Sequence, residues 1–138
     1  MAYAVQQDLI DRFGDDELML YCDRNSDGVL DAEVVAGVLL DANAMIDRHL
    51  AGRYQLPLSV VDPGLTRIAS DLARYWYQGD SVKADGAAAI NFKQALAQLR
   101  DLADGRTTLQ AAGVAPTQVS GGGIQFFQGG GAFDPGGY

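Results

Sequence analysis

The residues of this chain best equipped for chemistry lie in one short run, Asp23-Arg24-Asn25-Ser26-Asp27-Gly28-Val29-Leu30-Asp31. Counted from Asp23, oxygen-bearing side chains fall at loop positions one, three, five and nine, with Gly28 at six and Leu30 at eight. That is the spacing of the front half of an EF-hand calcium loop, in which a glycine makes the sharp turn and the oxygens converge on a hard cation. Asp23, Asn25, Asp27 and Asp31 are therefore the candidate metal ligands, and calcium is the one cofactor that these residues could hold. The departure is at position twelve, where a bidentate glutamate belongs and Val34 stands; Glu33 is one place early. The same run also reads as a helix–helix turn, because Asp, Asn and Gly suit turn geometry and Asp31 can cap a following helix.

Nucleophilic chemistry has little to work with. Cys22 is the sole cysteine and His49 the sole histidine. A lone cysteine after the apolar run Leu18-Met19-Leu20-Tyr21 reads as a small buried thiol, and it can form neither an intrachain disulfide nor a zinc cluster. The glycine run Gly121-Gly122-Gly123 leads into aromatics instead of a Gly-Lys-Ser/Thr signature, so no phosphate loop is expected. The many carboxylates fall in caps, turns and outer helix faces, which points to a solvated surface and away from paired acid–base catalysis. The expectation is a protein that is not an enzyme.

These groups sit on a chain of 138 residues, 48% hydrophobic and 20% charged, enough for one globular domain with a core of its own. The net charge of -8 argues against a protein that grips nucleic-acid phosphates, though not against a surface past which DNA slides. No apolar run approaches the length of a membrane span, and the start Met-Ala-Tyr-Ala-Val-Gln-Gln-Asp lacks the basic opening of a signal peptide, so the expectation is cytoplasmic synthesis without membrane contact.

The elements that must position the acidic turn are helical. Val5, Leu9, Ile10 and Phe13 recur at helical spacing over residues 5–13, and Gly14 stops the run. Asp15-Asp16-Glu17 open a second short helix, to Tyr21, with acidic residues at the positive end of its dipole. Asp31 is the expected N-cap of a long helix from about Ala32 to Ala51. Its apolar stripe runs from Val34 and Val35 to His49 and Leu50, Asp41, Asn43, Asp47 and Arg48 lie off the stripe, and Gly52 is the expected C-cap. Pro57 keeps Leu56 out of a helix. Asp62-Pro63 then read as N-cap and first-turn proline. The helix they start has Leu65, Ile68, Ala69, Leu72, Ala73 and Trp76 on its inner face and Arg67, Asp71 and Arg74 outside. This helix, near 65–78, is expected to be the most buried. A last helix spans about Ala87 to Ala103, with Phe92, Leu96, Leu99 and Ala103 in line and Asp104-Gly105 closing it. The fold class is thus mainly α, a small bundle of four to five helices over residues 1–111.

Residues 112–138 differ in kind. From Gly113 onward the chain holds most of its glycines and no lysine, arginine or glutamate, a composition that cannot fold alone. Yet it carries Ile124, Phe126, Phe127, Phe133 and Tyr138, which a pure spacer would not need. The expectation is a flexible, glycine-rich arm whose five apolar residues bind a partner.

Four blocks also resemble the phage Mu-type head–tail connector, or adaptor, family. They are Tyr3-Ala4-Val5-Gln6-Gln7-Asp8-Leu9-Ile10-Asp11-Arg12-Phe13-Gly14; the turn Asp23 to Asp31; Ala42-Asn43-Ala44-Met45-Ile46-Asp47-Arg48-His49-Leu50-Ala51-Gly52-Arg53-Tyr54-Gln55-Leu56-Pro57-Leu58, the most specific; and Ile68-Ala69-Ser70-Asp71-Leu72-Ala73-Arg74-Tyr75. The resemblance covers about residues 3–110, and the glycine–aromatic tail departs from it. It implies a structural subunit without cofactor, located in the virion neck and assembled in the bacterial host cytoplasm. Copies would form a homo-oligomeric ring, twelve-fold in the implied family, beneath the portal protein. The ring would meet a tail-side neck or stopper protein, and genomic DNA would pass through its channel without sequence-specific binding. The alternative from the residues themselves is a calcium-binding interaction module built on Asp23–Asp31.

Overall fold

Most helix boundaries fall where the chain carries a stop signal. The computed structural model describes residues 1–109, and they form α1 (Gln6–Phe13), α2 (Asp15–Cys22), α3 (Ala32–Leu50), α4 (Pro63–Gln78) and α5 (Ala87–Asp104), with no strand among them. Gly14, between α1 and α2, has φ 89°, and Gly105, just past α5, has φ 82°; side chains disfavour that left-handed region, so glycine ends both helices. At Gly105 a Cβ would also lie 2.0 Å from Nη1 of Arg53, so any side chain there would push the end of the Arg53 side chain aside. Asp62 caps α4 as expected, its Oδ1 accepting from Gly64 N–H at 2.7 Å, with Pro63 in the first turn. The mainly α bundle read from the pattern is what the chain forms.

Several local expectations need correction. Val5 does not belong to the first apolar stripe: it is the N-cap of α1, 56% exposed, and its N–H donates to Asp8 Oδ2 at 2.8 Å. Asp31 holds the N-cap position of α3 but caps it through its backbone carbonyl, which accepts from Val34 and Val35, while its carboxylate turns back into the preceding loop. Gly52 is not a left-handed C-cap; the cap of α3 is Ala51 in right-handed helical geometry, and the chain leaves through ordinary turns. The connector after it contains a cis Leu56–Pro57 bond.

The core is organised around α4, which packs against all four other helices. Leu65, Ile68, Ala69, Ser70, Leu72, Ala73 and Tyr77 are buried along it, as expected for the most enclosed helix. Enclosure on several sides widens the buried arc beyond a single stripe, and this explains two further corrections. Tyr77, not Trp76, is the buried aromatic of the last turn; Trp76 is half-buried and meets Phe92 of α5 edge-on at 5.9 Å. Asp71 and Arg74, expected outside, are largely covered, with side chains 13% and 18% exposed, whereas Arg67 does point outward at 68%. Ala69, Ser70 and Ala73 are small enough for neighbouring backbones to come close. The Ser70 hydroxyl donates to the Thr66 carbonyl at 2.7 Å and so needs no partner from another helix.

Two contacts close the bundle at its ends. The N-terminal strap is held between α3 and α4: Tyr3 N–H donates to Asn43 Oδ1 at 3.0 Å, the Tyr3 hydroxyl donates to Asp47, and Thr66 Oγ1 donates to the Tyr3 carbonyl at 2.7 Å. Burial and the neighbouring Asp47 carboxylate push the Tyr3 hydroxyl pKa well above its usual value. At the other end Leu109, buried, donates its N–H to the Tyr54 hydroxyl at 3.0 Å.

Leu72 is fully buried at the middle of this packing. Leu72→Ala should lower unfolding free energy by about 2–5 kcal/mol through lost burial and a residual cavity, read by urea denaturation. Leu72→Asp should give insoluble protein, because an unpaired charge would enter the core. A soluble, fully helical Leu72→Asp protein would show that α4 is not the centre.

Candidate functional site

The acidic loop is built between the end of α2 and the start of α3. The Cys22 carbonyl accepts from Asp31 N–H at 2.9 Å, which pinches the two ends of the loop together. Within it, Ser26 adopts φ 57° and Gly28 φ 81°, so the chain reverses at the two places where turn-forming residues stand. The side chains point inward and accept from backbone donors. Asp23 takes Asp27 N–H on Oδ1 at 3.2 Å and Gly28 N–H on Oδ2 at 2.9 Å. Asp27 Oδ1 takes Val29 N–H at 2.9 Å, and Asp31 Oδ2 takes Arg24 N–H at 2.9 Å. Asn25 Oδ1 lies 3.4 Å from the same Asp27 N–H. The Val29 N–H, helped by further hydrogen bonds around it, holds the exposed Asp27 carboxyl below the usual carboxylate range.

The fold therefore brings three of the four predicted ligands together: Asp23, Asp27 and Asp31 each offer an oxygen, all within 4.8 Å of one another. Asn25 lies at the rim of the same turn. Calcium takes six to eight oxygens, and the far side of the loop does not supply them. Val34, at the place of the bidentate glutamate, is half-buried and packs on the core, and Glu33 is exposed on the first turn of α3. The turn is complete as a hydrogen-bonded unit in which backbone N–H groups already occupy the carboxylates.

A second polar cluster was not read from the sequence. Arg74 of α4 reaches across to Glu17 of α2 in a paired contact, Nη2 to Oε1 at 2.8 Å and Nε to Oε2 at 3.0 Å. The Tyr77 hydroxyl donates to the same carboxylate, and the guanidinium lies over the Phe13 ring of α1 at 4.5 Å. Burial alone would raise the Glu17 pKa, but the bonds from Arg74 and Tyr77 and the Arg74 charge outweigh it and hold the carboxyl below its usual range. The Tyr77 hydroxyl is pushed far upward, by burial first and then by Glu17. Asp71, one turn before Arg74, goes the other way: burial raises its pKa despite Arg67, Arg12 and Arg74 nearby. The only hint in the sequence was that Asp71 and Arg74 share a helix with a wide apolar face.

Cys22 is fully buried, and that burial raises its pKa, so it is a poor thiolate. The charged groups acting on it are Arg24, Asp31 and Glu17; His49 is not among them and donates from Nδ1 to the Met45 carbonyl of its own helix at 2.8 Å. The predicted partner-binding residues Ile124, Phe126, Phe127, Phe133 and Tyr138, with the whole of 112–138, lie outside the described residues.

The body is thus a five-helix α domain held by a central helix, with an acidic turn and an inter-helix ion pair as its polar features. Comparison with known proteins gives the class a family. The family model described as "Bacteriophage Mu, Gp36" matches residues 3–127, and the chain belongs to this family of bacteriophage proteins. It is 32% identical over 108 residues to "Gene product J" of Escherichia phage Mu, an alignment covering 78% of this chain and 75% of that protein.

Two outcomes test these clusters. Glu17 has a folded-state pKa below its unfolded value, so its contribution to stability is fully present above the unfolded pKa and is lost as pH falls through the folded one. Glu17→Gln should cost about 1–3 kcal/mol at pH 7, since a charged hydrogen-bonded acceptor is lost while Arg74 stays partly buried. The gap to the parent protein should shrink as pH drops below about 4. Taking the difference between the two proteins removes the opposite contribution of Asp71. A gap that stays constant with pH would show that Glu17 is not held ionised by this network. For the acidic turn, millimolar calcium should leave the melting temperature unchanged. A rise of several degrees would show a bound cation, because a ligand of the native state must stabilise it.

Proposed function

We propose that this protein is a head–tail connector (adaptor) subunit of a tailed phage or prophage, forming a ring beneath the portal that joins capsid to tail and continues the DNA channel. The observation that carries the reading is membership of the Mu family across residues 3–127, joined to the four blocks that resemble connectors. The body suits a ring subunit. The outer face of α3 carries Gly37, Leu40 and Ala44 at successive turns, all exposed, with Leu40 69% exposed. One copy leaves this face uncovered, and a neighbouring copy in a ring would cover it. A net charge of -8 would let DNA pass without holding it. Among the described residues no helix is long and apolar enough to cross a membrane.

On this reading the protein is a non-catalytic virion component of the neck that works without a cofactor. Its partners are copies of itself in a ring, twelve-fold in the implied family, the portal, and a tail-side neck or stopper protein. Ile124, Phe126, Phe127, Phe133 and Tyr138 anchor the arm on one of these neighbours. Each aromatic buried there contributes roughly 1.5–3 kcal/mol towards the cost of ordering a glycine-rich chain. The acidic turn is a structural joint between α2 and α3.

A phage genome lacking this gene should produce DNA-filled heads and finished tails that stay unjoined, seen by electron microscopy. Protein cut after Gly113 should fold with unchanged helicity and fail to restore joined particles. Normal infectious particles from the truncated protein would refute the role of the arm, and normal particles from the deletion would refute the connector reading itself.

A further inference from the structure

Near the junction of α4 and α5 lies an open groove of about 430 Å³, in the size range of sites that hold ligands. Its floor is aromatic and aliphatic: Tyr75 and Phe92 stack with ring centroids 3.9 Å apart, and Val82 and Ala89 flank them, while Asp80 and Lys93 stand at the edge. Tyr75, Phe92 and Val82 are only partly buried, so one copy of the body leaves this aromatic surface wet.

We propose that in the free subunit this groove is covered by the chain's own C-terminal segment, with Phe126 and Phe127 seated on the Tyr75–Phe92 stack. Three observations favour this occupant. The first is chemical. Residues 110–138 carry one charged side chain, Asp134, so Phe126-Phe127 and the glutamines beside them enter an aromatic groove without desolvating a charge. The second is reach. The described chain ends at Leu109, anchored on Tyr54 beyond the C-terminal end of α5, and the groove is at the other end of that helix. From Ala89 to Asp104 the helix rises roughly 23 Å. Phe126 lies seventeen positions beyond Leu109, and a flexible chain of that length spans about 21–25 Å on average. A tether whose mean length matches the distance gives the highest local concentration of its end. The third is the choice of groove. The clefts beside Leu109 and at Trp76 are smaller, about 260 and 250 Å³ against about 430 Å³, and neither is lined by a stacked aromatic pair.

The latch shares its phenylalanines with the arm proposed above, and it goes beyond that reading by giving them a seat before assembly. Release from this seat would then be a step that the partner must drive, which keeps the arm from associating early with other copies. The latch is tested on the isolated subunit, so it can fail while the connector reading stands.

Full-length protein carrying Lys93→Cys and Gln125→Cys serves as the probe; Cys22 can stay, being fully buried. Under mild oxidation at low concentration this pair should form a disulfide within one chain at least tenfold faster than the same pair with Phe126→Ala and Phe127→Ala. Equal rates in the two proteins would overturn the proposal, and so would a disulfide formed mainly between chains, which assigns the groove to a neighbouring copy. A second measurement avoids new cysteines: the ring signals of Tyr75 and Phe92 in an NMR spectrum should shift between the parent protein and the Phe126→Ala, Phe127→Ala variant. Unchanged ring signals would overturn the latch equally.

Discussion

The burial of α4 is the constraint on which the rest of the molecule depends. A helix packed by four others cannot present one apolar stripe and one wet face; nearly all its circumference must be apolar, small or internally paired. Ala69, Ser70 and Ala73 meet that need with small side chains, and Ser70 turns its hydroxyl onto the preceding turn of its own helix. Leu65, Ile68, Leu72 and Tyr77 fill the space between helices. The two charged residues on this helix that are covered, Asp71 and Arg74, must then find something to do with their charge, and Arg74 does so through Glu17.

That ion pair joins three helices at one point. Arg74 comes from α4, Glu17 from α2, and the Phe13 ring under the guanidinium from α1. Helices α1 and α2 are eight residues each, too short to be stable alone. Their order comes from tertiary contacts, and a paired Arg–carboxylate contact fixes orientation as well as distance. Tyr77 adds a second donor to Oε2 of Glu17 while stacking on Tyr21 at 5.9 Å. The acidic turn follows directly from α2, so the geometry of its carboxylates rests on the same anchor.

On the connector reading proposed above, a small body of this kind would be repeated around an axis. It is held by one inner helix, and the five helices leave two surfaces uncovered, the outer face of α3 and the aromatic groove between α4 and α5. Both surfaces are apolar without being charged strongly in one sense, which favours recognition by shape and packing over electrostatic steering. The family to which the chain belongs is a phage family, and the connector role proposed above asks for contacts of that sort.

What the sequence determined by itself was the set of helices, because their signals are local. Gly14, Asp62-Pro63 and Gly105 act within one turn of themselves, and apolar spacing reports a helical period without knowledge of any neighbour. The loop spacing likewise foretold that Asp23, Asp27 and Asp31 would converge, since the turn that gathers them is nine residues long. Tertiary structure alone decided what no local pattern carries. It placed Tyr77 inside and left Trp76 at the edge, and it paired Arg74 with Glu17, 57 residues away. It turned Asn43 and Asp47 from outer helix positions into the hold on Tyr3. The physical reason is the same in each case. A side chain's periodicity fixes the face it stands on, but how much of that face is covered, and by which charge, depends on how many other helices arrive there.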